Sequence, residues 1–233
     1  MLISIVSIFL LNLRLPSTYN MDILKVVQGS FSQNDNRFGK SCGKQCACMA
    51  LTSICMTNVR KPFIWKEVDL DFILMQGDAL YKTTGIDRSL YSDELPKVFE
   101  VGNHLFQIDY PQINDRFCND ENNFDEFLDE EYFATVTGAI IFVNDYCISI
   151  LKDDNFFFVF DSHSRNTNGQ PTPDGTSILM MFKSIENVKA YVLKTYPNCR
   201  HLQIVFVKTY EITDKEKNLF KKSFLSTKDM FNI

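Results

Sequence analysis

Apolar positions along this chain fall into two regimes. They recur at helical spacing early and gather into short, dense runs later. Residues 46–57 (CACMALTSICMT) are small or apolar with no polar face, which predicts a largely buried helix that breaks at 58–62. Within 65–81, Trp65, Val68, Phe72, Leu74, Met75 and Ala79 sit near helical spacing and predict a second helix. Residues 28–43 are polar with interspersed glycine and read as a loop. Pro96 interrupts 89–99, and 101–110 shows partial strand alternation up to Pro111. The acidic, Asn-rich stretch 115–131 predicts a loop and then a short helix at 125–133. Three strands follow at 138–143, 146–151 and 156–161, joined by turn residues as an antiparallel meander. A polar Gly/Pro loop at 164–175 leads to a strand at 176–182, a helix at 184–196 capped by Ser184, a strand at 202–210 and an amphipathic helix at 213–224.

Helices early and strands late predict an α+β fold with a mainly antiparallel sheet. No internal repeat or linker divides the chain, so 21–233 is expected to fold as a single domain. At 233 residues, 45% hydrophobic, it can bury a substantial core, which removes the disordered and collagen-like classes. The net charge of −5, with dispersed Lys and Arg, argues against nucleic acid as a partner. Residues 1–13 are apolar but too short to span a bilayer, and they lack the basic start and cleavage site of a signal peptide. Met21 offers an alternative start, which makes 1–20 an extension outside the fold. The basic amphipathic helix at the C-terminus is expected to be a solvated surface rather than a membrane contact.

Seven cysteines is an odd number, and a chain this long has no need of staples, so free thiols in a reducing compartment are expected. Cys55 and Cys147 lie in apolar runs and read as small hydrophobes. Cys46 is different, because it stands where the loop hands over to the first helix, behind Gly43, which permits a sharp turn. Unpaired N–H groups and the helix dipole favour a thiolate there. Position alone does not separate a nucleophile from a buried packing cysteine. A zinc site from Cys42, Cys46 and Cys48 lacks the paired knuckles such sites use, so no metal and no cofactor is expected.

Of the three histidines, His163 ends the run Phe160-Asp161-Ser162-His163. Residues two apart on a strand share a face, so Asp161 can hold one ring nitrogen of His163 and leave the other to deprotonate a thiol. His104 and His201 read as structural or surface residues. Acyl transfer also needs a donor for the oxyanion, and Gln33 and Gln45 are the upstream candidates. Gln45 adjoins Cys46 and is expected to diverge from it. Gln33 lies in a loop able to fold back over the helix start and is preferred, with a solvated loop residue as the alternative.

These blocks resemble a known family. Ser32-Gln33-Asn34-Asp35, Arg37-Phe38-Gly39, Gly43-Lys44-Gln45-Cys46 and Phe160-Asp161-Ser162-His163-Ser164 are similar to the deubiquitinase domain at the N-terminus of the herpesvirus large tegument protein, the betaherpesvirus branch above all. The resemblance runs from about Met21 to Tyr210. It implies a papain-like cysteine protease that cleaves after the C-terminal glycine of ubiquitin, with Cys46 as nucleophile, His163 as base, Asp161 as its orienter and Gln33 as oxyanion amide. It further implies ubiquitin, ubiquitinated proteins and ubiquitin-like modifiers as partners, with other tegument or capsid proteins. The location it implies is the virion tegument and the host cytoplasm and nucleus. Asn34 stands where the family usually has glycine. The resemblance also implies a narrow channel for the Arg-containing ubiquitin tail. Carboxylates within 115–131, flanked by Phe124 and Phe127, are one source of partners for those arginines, and a solvated segment is the plainer reading. The competing functions are a thiol hydrolase of another substrate class and a non-catalytic ubiquitin-binding or scaffold module.

Overall fold

The structure, a computed structural model, describes residues 22–117, 128–197, 201–213 and 216. The expected extension at 1–20, Phe124, Phe127, most of the acidic stretch, Cys118, Cys199 and most of the helix expected at 213–224 lie outside the described residues.

Eight strands form one sheet: β1 (Ile23–Gln28), β2 (Val98–Val101), β3 (His104–Phe117), β4 (Gly138–Val143), β5 (Tyr146–Asp153), β6 (Phe156–Arg165), β7 (Thr176–Phe182) and β8 (His201–Glu211). Their spatial order is β1-β7-β6-β5-β4-β8-β3-β2, with every neighbouring pair antiparallel. Among the described residues three longer α-helices accompany them: α1 (Cys46–Val59), α2 (Glu67–Thr84) and α3 (Ile185–Thr195). This is the expected α+β class.

The pleat divides the core. Phe158 and Phe160 of β6, with Leu179 and Met181 of β7, pack into one cluster with α1 and α2. Phe157, Val159, Ile178 and Met180 point the other way and pack with α3. Residues 46–56 of α1 are all buried, as its uninterrupted apolar sequence demands. Its two buried hydroxyls are satisfied: Thr52 donates to the Cys48 carbonyl (2.8 Å), and Ser53 bonds the Ala50 carbonyl (2.7 Å) and Ser149 Oγ of β5 (2.5 Å). Helices α1 and α2 approach closely at Gly77, where an added Cβ would meet the Met49 backbone at 2.6 Å.

Several elements depart from the pattern-based expectation. Strand β1, which the pattern did not signal, pairs with β7 at the sheet edge. The stretch 101–110 is no single strand. Gly102, at φ 61°, turns β2 back onto β3 as a hairpin. Pro111 does not end β3, because it lies where the register with β8 shifts between Asp109 and Gln112, and a bulge needs no ladder N–H there. Trp65 precedes α2 and donates its indole N–H to the Arg60 carbonyl (2.9 Å). The short helix expected at 125–133 is, within the described residues, a 3₁₀ turn at Glu130–Ala134. Asp129 caps that turn and Glu130 pairs with Lys152 at 3.1 Å. Ser184 caps α3 as expected, accepting from the Asn187 N–H.

Candidate active site

Gln33 is the hub of the loop before α1. Its N–H donates to the Ser162 carbonyl of β6 (2.8 Å), and its carbonyl accepts from the Gly43 N–H (3.2 Å) and Gln45 Nε2 (3.4 Å). Ser32 Oγ adds a bond to Ser164 Oγ at 2.8 Å. The loop is therefore stitched to β6 on both sides of His163 and tied to the residue that starts α1. Asp35 caps the 3₁₀ turn Asn36–Ser41, Arg37 lies over the Phe31 ring at 3.6 Å, and Phe38 is buried. Asn34 is not among the positive-φ residues, so its backbone makes no demand for glycine. Gly43 does adopt φ 76°, the sharp turn expected before Cys46.

Cys46 is the first residue of α1. The preceding Gln45 makes no side-chain cap, and no acidic residue occupies the first turn. The positive end of the helix is left to the thiol. Gln45 instead accepts from the Lys44 N–H (2.9 Å) and reaches Gln33, so its side chain diverges from Cys46 as expected. The Gln33 amide oxygen accepts from Ser162 Oγ (3.1 Å), which leaves its NH₂ as the end able to serve an oxyanion.

Strand β6 runs four residues beyond its expected end at 161. Asp161, His163 and Arg165 therefore share one face. Asp161 is fully buried, and its Oδ1 accepts from both the backbone N–H of His163 (2.9 Å) and its Nδ1 (2.6 Å). The ring of His163 lies close enough to the Cys46 side chain for each to shift the titration of the other. The Tyr146 ring packs edge-on against His163, centroids 4.9 Å apart.

The electrostatics follow from this packing. A hydrogen bond from the Cys147 thiol is the largest influence on Cys46 and pulls its pKa well below the ordinary thiol value; burial opposes, and the His163 hydrogen bond and charge add to the lowering. Burial pushes Cys147 itself well up, and so does its bond to Cys46. Burial also disfavours a charged His163, but the Asp161 charge and hydrogen bond, followed by Cys46, outweigh it and raise the imidazole to about 9. Burial would raise Asp161, yet the charges of His163 and Arg165 hold it well below the usual carboxylate range. The arrangement thus favours a thiolate–imidazolium pair, in contrast to Cys48 and Cys55, whose thiols burial drives upward.

The structure brings Cys46, His163 and Asp161 together, with Gln33 bonded to the residue beside His163. It keeps His104 and His201 out of this group, and His104 pairs with Glu211 at 2.7 Å. Cys42 donates to the Asn34 carbonyl (3.1 Å) while Cys48 is buried within α1. Cys147 is buried in the apolar core, as expected of it, and also adjoins Cys46; Tyr146 and Tyr196, which lie against His163 and Asp161, carry no signal in the sequence. Arg165 was within reach of sequence reasoning: continuing the period of two from Asp161 and His163 places it on the same face.

No match was found among curated protein sequences. Among solved structures, the chain is similar to the ubiquitin-specific protease encoded by the murine cytomegalovirus tegument protein M48, solved in complex with a ubiquitin-based suicide substrate. The TM-score is 0.68 at 15% identity, covering 81% of this chain and 87% of that one. The papain-like α+β fold implied by the resemblance is the fold it has. The family model of the herpesvirus tegument protein N-terminal conserved region matches residues 28–216, a span that holds every residue of the site, and the chain belongs to that family.

Proposed function

We propose that this chain is a cysteine protease that removes ubiquitin from proteins. The observation that carries the reading is the meeting of Cys46, at an uncapped helix start, with an imidazole anchored by a buried carboxylate. Cys46 is 1% exposed, so a carbonyl reaching it belongs to a slender chain end, and a glycine with no side chain suits that approach.

In this mechanism the Cys46 thiolate attacks the carbonyl carbon of the terminal glycine. The tetrahedral oxyanion is held by the Gln33 amide and the Cys46 backbone N–H. His163, protonated, gives its proton to the departing lysine amine as the thioester forms. It then takes a proton from water, which attacks the thioester and frees the glycine carboxylate. Asp161 keeps the ring in one tautomer throughout. Ubiquitin, and ubiquitin-like modifiers ending in the same glycines, are the proposed substrates, and the virion tegument and infected cell the setting.

The test is labelling with ubiquitin bearing a C-terminal vinyl sulfone, with the modified residue mapped by mass spectrometry. The adduct is expected on Cys46 and absent from Cys46→Ala. Hydrolysis of ubiquitin conjugates should fall at least ~100-fold in Cys46→Ala or His163→Ala, and somewhat less in Asp161→Ala. Full activity of Cys46→Ala would end this reading. A Cys46 that reacts with small alkylating agents but ignores the ubiquitin probe would point to a different substrate class.

A further inference from the structure

Asp161 has two carboxylate oxygens, and only Oδ1 serves His163. Oδ2 accepts from Arg165 Nε at 2.7 Å and from the Tyr196 hydroxyl at 3.2 Å. Arg165 also donates to that hydroxyl through its terminal nitrogen at 2.6 Å, which closes a ring of three hydrogen bonds. Arg165 is 1% exposed, and an arginine so deep is rare unless paired. Its backbone carbonyl is held in turn by Gln28 Nε2 of β1 at 3.2 Å. Tyr196, just past the end of α3, packs at a tilt against Tyr146, ring centroids 5.5 Å apart, and Tyr146 is the ring that leans on His163. The hydroxyl of Tyr196 thus touches the orienting carboxylate, and its ring backs the neighbour of the base.

A carboxylate on a strand end can rotate about its last torsion and offer either oxygen or neither. Saturating one oxygen from behind removes that freedom. It also places a compensating cation beside a fully buried anion, so the pair needs no proton to stay neutral.

We propose that Arg165 and Tyr196 are positioning residues that clamp Oδ2 of Asp161, so that Oδ1 stays aimed at His163 and the other ring nitrogen at Cys46. This rests on the proposed roles of Cys46 and His163, and the test separates the two claims. The titratable groups facing Asp161 are His163 and Arg165 from its own strand, Tyr191 from α3 and Tyr196 just past its end, Cys147 from β5 and, through His163, Cys46 from α1. Among them Arg165 is the permanent cation, so removing it makes its neighbours hold protons more tightly.

The experiment follows the rate of Cys46 alkylation by iodoacetamide across pH, mapped by mass spectrometry. In parallel, kcat and KM are measured on ubiquitin with a fluorogenic C-terminal amide. The proteins are wild type, Arg165→Met, Arg165→Lys and Tyr196→Phe. Arg165→Met should move the alkylation midpoint to higher pH. Arg165→Lys should return the midpoint towards wild type but not kcat, since a single ammonium does not reproduce the planar fork. Tyr196→Phe should lower kcat roughly tenfold with KM unchanged, on the scale seen when the partner orienting a functional histidine is lost. A folded Arg165→Met with wild-type midpoint and kcat overturns the clamp. Should that variant fail to fold, wild-type kcat in both Arg165→Lys and Tyr196→Phe overturns it equally. If wild type leaves ubiquitin untouched while the alkylation midpoints shift as stated, the clamp stands and the ubiquitin reading falls.

Discussion

Cys147 occupies an apolar strand position where a thiol would ordinarily be inert, yet its hydrogen bond is the first of the influences that lower Cys46. Cys147→Ala deletes that donor and leaves a cavity of a single sulfur. Thiolate formation should then need a higher pH, so kcat/KM should drop more at about pH 6 than at about pH 8. A pH–rate profile superimposable on wild type would remove Cys147 from the site. A second consequence concerns stability. His163, raised to about 9 from an ordinary 6.5, contributes stability that is whole below 6.5 and lost as pH rises through 9. Cys46, lowered from 9.0, contributes in the opposite sense, present above 9.0 and lost as pH falls through its folded value. Between those limits the folded pair carries its proton on the ring and the unfolded chain carries it on the thiol. Proton counts match, and the pair adds no pH slope. Cys46→Ala removes the compensation. Its urea-unfolding free energy should fall as pH rises above about 6.5, by at most ~1.4 kcal/mol per unit and over a window that closes below 9, because Cys46 no longer helps to raise His163, while wild type stays flatter. Equal slopes would argue against a thiolate in the folded protein.

Cys46, His163 and Asp161 stood out in the sequence because each carries a local signal: a helix boundary after glycine, and a shared strand face. Cys147, Tyr146 and Tyr196 carry none. Their part is set by which strand or helix end lies alongside β6, and nothing local encodes that.

At the scale of elements, the buried helix, the meander and the capped α3 were legible because each pairs a strong period with an explicit stop. Strand β1 was not, since it sits at an edge with only partial burial and shows no clean alternation. The β2–β3 hairpin is hidden because its one glycine turn, at Gly102, falls inside a stretch of partial alternation with no other stop signal. The α1–α2 crossing makes a prediction at this scale. Gly77→Ala gains about 1 kcal/mol of helix propensity. Its new Cβ meets the Met49 backbone and its side chain at 2.6 Å, and backbone cannot rotate away. Overpacking, at about 1–3 kcal/mol, should win, and the melting temperature should drop by several degrees. A rise would mean the two helices slide apart freely.

For the whole molecule, a match at 15% identity with a TM-score of 0.68 shows that the sheet order and helix placement outlast most of the side chains that build them. The N-terminal strand closes this architecture, because β1 covers the outer edge of β7 and its Gln28 holds the Arg165 carbonyl. Deleting residues 23–28 should therefore cost both cooperative thermal unfolding and the reactivity of Cys46 toward iodoacetamide, although neither the thiol nor its histidine is touched. Unfolding as sharp as wild type, with undiminished reactivity, would make β1 an accessory.

The loop around Gln33 has one more implication. Sulfur and imidazole come from distant parts of the chain, yet both are located by reference to a single short segment, which grips the strand on one side and the helix start on the other. Insertions in the loops that join the distant elements leave that common datum undisturbed. One residue added or removed between Ser32 and Gly43 would throw both partners out of true at once.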